Sequence, residues 1–217
     1  MIPENSSGEK LSSLLVSAFY LEPDGEQTYP LLVKERGGIG LNDPSQGINI
    51  IDWTLRYFPA TGDMVIESET TPQTILFTLP DITEIDLTFD GNMNPFVAYV
   101  ADGDAWFWWY DSDIPGTTHT NLPAGSLTPR CTLDDKREDL EGGSDIILCY
   151  VHNGGLRKRI QRERYTVEET LENPFLHPTL GLPAVLVKVG MNKKNRLQWT
   201  CDLANPIDWC GYVNYGN

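Results

Sequence analysis

Two hairpin signals constrain this chain more than anything else in its sequence. Ala98-Tyr99-Val100-Ala101-Asp102-Gly103-Asp104-Ala105-Trp106-Phe107-Trp108-Trp109 reads as two strands joined by an Asp-Gly turn. A two-residue turn of this kind needs a positive φ at both positions, which Asp, Asn and Gly tolerate. Cys149-Tyr150-Val151-His152-Asn153-Gly154-Gly155-Leu156-Arg157-Lys158-Arg159-Ile160 repeats the arrangement with Asn-Gly, and Tyr-Val stands ahead of the turn in both copies. Upstream, Leu87-Thr88-Phe89-Asp90 matches Cys131-Thr132-Leu133-Asp134. Each unit therefore reads strand, Asp-containing turn, strand, Asx-Gly turn, strand. A third, weaker copy runs from Leu186 to Trp199. Repeats of about 40–50 residues built from hairpins are the pattern of propeller blades. Two or three copies are fewer than the roughly 4–8 blades of a typical ring. Degenerate blades in the first 80 residues, a ring shared between chains, or hairpins that stack without closing would each resolve the shortfall.

The rest of the chain agrees with an all-β reading. Leu14–Leu21, Tyr29–Val33, Ile48–Phe58, Asp63–Glu67, Thr74–Leu79 and Ile85–Phe89 are apolar or alternating runs. Glu22-Pro23-Asp24-Gly25-Glu26 and Pro59-Ala60-Thr61-Gly62 read as turns. Short strands punctuated by 19 glycines and 15 prolines predict β-propeller-like or sandwich-like antiparallel sheets. One short helix is expected, over Thr166–Glu172, where Thr166 and Glu169 have capping-box spacing and Pro174 stops the run. The expected organisation is N-terminal strands over 1–47 that serve as an assembly arm, a main hairpin-repeat domain over 48–200, and a tail over 201–217.

Charge narrows the function. The chain carries 16 Lys and Arg against 31 Asp and Glu, a net −15. That argues against nucleic acid as the main partner, because affinity there comes from neutralising phosphates. The charge is also uneven. Residues 1–150 hold 7 basic and 25 acidic residues, a net −18, whereas 151–217 hold 9 and 6, a net +3. A polarity of this sort suits contact between subunits; a merely solvated acidic surface is the plainer alternative. No apolar run reaches the length of a membrane span. Met1–Lys10 lacks the features of a signal peptide, so reduced thiols are expected. Among Cys131, Cys149, Cys201 and Cys210 there is no C-x-x-C pair. Cys149 lies in an apolar run and reads as a buried thiol, and Cys201 with Cys210 could form a disulfide.

Four stretches bear on chemistry. Asp90-Gly91-Asn92-Met93-Asn94 begins like a calcium loop but lacks the glycine and the glutamate that complete one; an Asx-turn is the simpler reading. Asp134–Asp139 is a charge run on a hairpin loop. Trp106-Phe107-Trp108-Trp109-Tyr110 puts Trp106, Trp108 and Tyr110 on one face of a strand and Phe107 and Trp109 on the other. Core packing, a subunit interface and a sugar-stacking platform for a host surface glycan all fit Trp106, Trp108, Trp109 and Tyr110. The basic run holds Arg157, Lys158, Arg159, Arg162 and Arg164, candidates for an intersubunit electrostatic contact. His119, His152 and His177 are expected in turns or loops, and no H-E-x-x-H or G-x-S-x-G occurs. A sialidase-like enzyme would need clustered arginines, and the first 150 residues offer Arg36, Arg56, Arg130 and Arg137. The expectation is no enzyme, no cofactor and no metal.

Leu87–Tyr110, Gly125–Arg137, Ser144–Tyr165 and Gly190–Trp199 together resemble a family of tailed-bacteriophage virion proteins encoded among tail-associated structural genes. The resemblance spans about residues 48–200. It implies a β-rich part of the nozzle, hub or fibre-attachment type, made in the host cytoplasm and found in the virion. Its partners would be copies of itself and other tail proteins. It carries no catalytic residues over to this chain.

Overall fold

The computed structural model describes residues 20–21, 28–29, 31–37, 51–90, 93–110, 117–133, 145–176, 181–188, 197–200 and 211–212. In chain order the strands are β1 (Tyr20–Leu21), β2 (Thr28–Tyr29), β3 (Leu31–Gly37), β4 (Ile51–Phe58), β5 (Asp63–Ser68), β6 (Thr74–Thr78), β7 (Ile82–Phe89), β8 (Pro95–Ala101) and β9 (Asp104–Tyr110). They continue with β10 (Thr117–Asn121), β11 (Leu127–Leu133), β12 (Ile146–His152), β13 (Gly155–Ile160), β14 (Glu169–Glu172), β15 (Val185–Lys188), β16 (Leu197–Thr200) and β17 (Gly211–Tyr212). The all-β expectation holds. β1 pairs with β2. The others form four antiparallel sheets, ordered β3-β4-β5-β6, β7-β8-β9-β10, β11-β12-β13-β14 and β15-β16-β17.

These sheets stack face to face, because period-two alternation gives each strand two different faces. Leu55, Tyr57, Met64, Ile66 and Phe77 of the first sheet pack against Ile85, Leu87, Phe89, Tyr99 and Trp108 of the second. The opposite face of the second sheet presents Phe96, Ala98 and Phe107 to Leu148, Tyr150 and Tyr165. The third sheet's other face carries Ile147, Cys149, Val151 and Leu156 against Phe175, Ala184 and Leu186. The first strands of successive sheets, β3, β7, β11 and β15, lie against one another in series.

The hairpin repeat is real in the second and third sheets. Asp102-Gly103 has φ of 50° and 79°, and Asn153-Gly154 has 51° and 71°. Both close two-residue loops, with Ala101 opposite Asp104 and His152 opposite Gly155. The first strand of each unit is bulged near its start, between Ile82 and Glu84 and between Leu127 and Arg130. The weak third copy is offset by one strand. Its hairpin is β15–β16, and β15 rests on β11, so it matches the first two strands of a unit rather than the middle pair. The first sheet supplies a further unit that the repeat does not reveal. β3, on the N-terminal side of residue 47, pairs along its length with β4, and that boundary therefore falls within a sheet. Beyond residue 200, β17 pairs with β16.

The helix expected over Thr166–Glu172 is corrected. Glu169–Glu172 is strand β14, pairing with Arg157 and Lys158 of β13. Thr166 does not cap; its hydroxyl donates 2.7 Å to the Glu163 carbonyl. Seven residues are too few to offset helix nucleation, whereas pairing on a waiting strand edge bonds the backbone at once. The helical turn in this region is a 3₁₀ turn at Gln161–Glu163, ended by Arg164 and Tyr165 with φ of 51° and 58°.

Candidate functional site

The aromatic strand β9 splits between two cores, as alternation requires. Trp108 is 2 % exposed and packs with Trp106 in the first inter-sheet core, its ring 5.6 Å from Phe77. Phe107 lies in the second core, 5.5 Å from Phe96 in a near-parallel stack. Trp109 meets Tyr165 edge-on at 5.2 Å, and the Arg164 guanidinium sits 5.5 Å over the Trp109 ring, within cation–π range. Tyr110 alone of the five is exposed, at 47 %. Packing therefore accounts for most of this strand, and the open aromatic area is one tyrosine rather than a row.

The basic run is divided by the pleat. Lys158 faces the third core and pairs with Glu169 at 3.0 Å. Arg162 lies 3.6 Å from Asp145. Arg157 and Arg159 point to the other face, toward the second sheet, and share one carboxylate. Glu168 lies 3.9 Å from Arg157 Nε and 3.8 Å from Arg159 Nη2. Its short bond is made elsewhere, 2.5 Å from the Tyr150 hydroxyl, which donates to Oε2. Arg159 Nε donates to the same hydroxyl at 2.9 Å, and its Nη1 to the Tyr165 carbonyl at 3.0 Å. Arg157 Nη1 donates to Thr170 Oγ1. Burial and the adjacent Glu168 carboxylate push the Tyr150 phenol well above its usual range, so it stays protonated as a donor.

Three arrangements carry little sequence signal. Asp86, 2 % exposed, accepts 2.8 Å from the Cys131 amide and 3.6 Å from its thiol, tying β7 to β11. Arg130 and Glu84 form an ion pair at 2.9 Å between the same two strands. His119 Nδ1 lies 2.7 Å from the Tyr99 hydroxyl, with Phe77 edge-on at 4.9 Å. Burial lowers the His119 pKa and raises that of Tyr99, which sets a neutral imidazole against a protonated phenol. Asp86 could not be picked out in advance, because alternation sets it with Glu84 and Thr88 on the polar face of β7, away from Ile85, Leu87 and Phe89.

The His119 arrangement sets a pH dependence. A histidine whose folded pKa lies below its unfolded value leaves stability intact while both states are neutral. As pH falls through about 6.5, the unfolded chain takes the proton first and stability drops. The melting temperature is expected to decline between roughly pH 7 and 5.5, and His119→Gln to flatten that decline. An unchanged slope in the variant would remove His119 from the account.

Asp90 ties its own turn, although its side chain reaches the residue four along rather than the second residue, as an Asx-turn would. Its carboxylate accepts from the Asn94 amide at 2.8 Å, Asn94 Nδ2 at 3.0 Å and Gln161 Nε2 at 3.3 Å. Cys149 is a free buried thiol, as expected, and Cys131 is another; burial pushes the Cys149 thiol up. Asp134–Asp139, His177, Cys201 and Cys210 lie outside the described residues. Among the described residues no three His, Cys, Asp or Glu side chains gather as a metal-holding group, and no helix is long and apolar enough to cross a membrane. Comparison of the chain with protein-family models, with curated proteins and with solved structures finds no match.

Proposed function

We propose that this chain is a non-enzymatic structural component of a tailed-bacteriophage virion, a hub, nozzle or fibre-attachment part of the tail. It is made in the host cytoplasm and acts by protein–protein assembly, with copies of itself and with other tail proteins. The observation that carries the reading is the serial stack of meander sheets with their first strands side by side. Such a stack builds a rigid body whose shape is set by apolar layers, and it supports a propeller-like arrangement. The resemblance of residues 48–200 to tail-associated proteins points the same way. So does the use of Trp106, Phe107, Trp108 and Trp109 for packing, which leaves little open aromatic surface for a glycan.

Mass spectrometry of purified virions from a host expressing this gene is the direct test. The chain is expected at a fixed stoichiometry with other tail proteins, and antibody labelling at the tail. Its absence from particles would overturn the assignment.

A further inference from the structure

The Asn153-Gly154 hairpin tip sets an unbonded side-chain amide next to an unbonded backbone amide. Both residues are exposed. Among the described residues the Asn153 side chain has no hydrogen-bond partner, and Gly154 bonds through its carbonyl, which accepts from the Phe175 amide at 2.7 Å. The register closes with His152 opposite Gly155, so a two-residue turn leaves the Gly154 N–H out of the ladder. The space beside it is open: a Cβ on Gly154 would meet nothing within 4 Å.

The other described asparagines lack this pairing. Asn94 and Asn173 precede Pro95 and Pro174, whose nitrogens carry no proton. Asn121 precedes Leu122, which is buried and whose amide donates to the Ala105 carbonyl at 2.9 Å. We propose that Asn153 is a site of spontaneous covalent modification, deamidated by attack of the Gly154 amide on its side chain. The Gly154 nitrogen gives its proton to solvent base and bonds to Asn153 Cγ. The Cγ–Nδ2 bond breaks, and ammonia leaves with a proton taken from water. Water then opens the five-membered imide. Opening at the side-chain carbonyl gives aspartate in an ordinary backbone. Opening at the main-chain carbonyl gives isoaspartate, with the backbone routed through Cβ and Cγ. Water is the only co-reactant.

The fold treats the two products differently. The sister turn already carries an aspartate, with Asp102 and Gly103 at φ of 50° and 79° where Asn153 and Gly154 have 51° and 71°. Ordinary aspartate therefore keeps the hairpin. Isoaspartate adds a backbone carbon between His152 and Gly155, which a two-residue loop absorbs only by disturbing the register that the turn sets. The surroundings give no slack. A Cβ on Gly155 would stand 3.1 Å from the Glu172 carbonyl oxygen and 3.2 Å from Asn173 Cγ. A displaced tip also pulls on the Phe175 amide, and Phe175 is buried in the core that joins the third and fourth sheets. The inference goes beyond the assembly reading and stands whether or not the chain belongs to a tail.

Incubation of the purified full chain in mildly alkaline buffer, followed by digestion and mass spectrometry, tests the site. Electron-transfer fragmentation separates isoaspartate from aspartate. Conversion is expected at Asn153 before any is detected at Asn94, Asn121 or Asn173, and its rate should rise with pH. Unfolding in urea should speed conversion at Asn121, because it frees the Leu122 amide. An Asn153 that stays intact overturns the proposal, as does an Asn121 that converts equally fast folded and unfolded. The Asn153→Asp variant should melt with the wild type, while the isoaspartate fraction, isolated by ion exchange, melts lower. A variant that melts as low as that fraction overturns the distinction between the products.

Discussion

Replacing Trp108 with alanine is expected to lower the unfolding free energy by about 3–5 kcal/mol, the usual range for emptying an aromatic site in a core. The indole is 2 % exposed and stands opposite Val97 on β8 and His119 on β10. It packs against Phe77 from the neighbouring sheet, so its loss opens the layer between two sheets rather than a pit in one. Interior packing is close to crystalline density, and sheets tied by many aromatic contacts collapse poorly into a single vacancy. Trp108→Phe should cost much less. The indole Nε1 is buried without a hydrogen-bond partner, so phenylalanine removes an unsatisfied donor along with the volume. Urea unfolding followed by tyrosine fluorescence or circular dichroism measures both. A loss under about 1 kcal/mol for the alanine variant would show that this layer is not close-packed.

Asp86→Ala is expected to cost about 1.5–3 kcal/mol, the scale of a hydrogen bond to a charged group. The Asp86 carboxylate receives the Cys131 amide of the next sheet's first strand at 2.8 Å. Alanine leaves that amide buried and unmet, and backbone donors are rarely left so. Asp86→Asn keeps an acceptor oxygen and should recover part of the loss. Hydrogen exchange gives a second readout, with faster exchange at the Cys131 amide in the alanine variant while amides of β4 and β5 hold their protection. Equal protection at Cys131 in both proteins would mean that another acceptor serves this amide.

The elements legible in the sequence were those with a strict local code. Asx-Gly turns located the β8–β9 and β12–β13 turns to the residue, while the outer ends of those strands run up to three residues past the repeat, and alternation placed Trp108 and Phe107 on opposite faces before any packing partner was known. Partners were not legible, because they depend on which sheets meet. Nothing in Arg157-Lys158-Arg159 says that Lys158 turns to Glu169 while its neighbours turn to Glu168; the acids come from β14 and the residue before it, and that strand itself was read as a helix. Its capping-box spacing was a sound local signal. It lost to the free edge of β13, which only the folded sheet presents. The first sheet escaped the repeat for a related reason, as its turn at Pro59–Gly62 is longer than two residues and its core strands share no motif with the later units. Tyr165, drawn into the second core by two consecutive left-handed residues, had no signal at all.

Among the described residues, every strand of the four stacked sheets bonds only to strands adjacent to it in sequence. The hydrogen-bonded ladders are thus local in the chain, although the fold is all-β, and loop closure between partners involves short segments. Most β architectures fold slowly because their pairings span long separations. Here only the face-to-face contacts are distant, and each joins neighbouring units. A chain emerging from the ribosome can complete one sheet before the next is made, and each finished sheet offers the apolar face on which the following one settles. Growth in that order keeps exposed apolar surface to about one layer at a time, which limits the surface open to aggregation while the chain is being made.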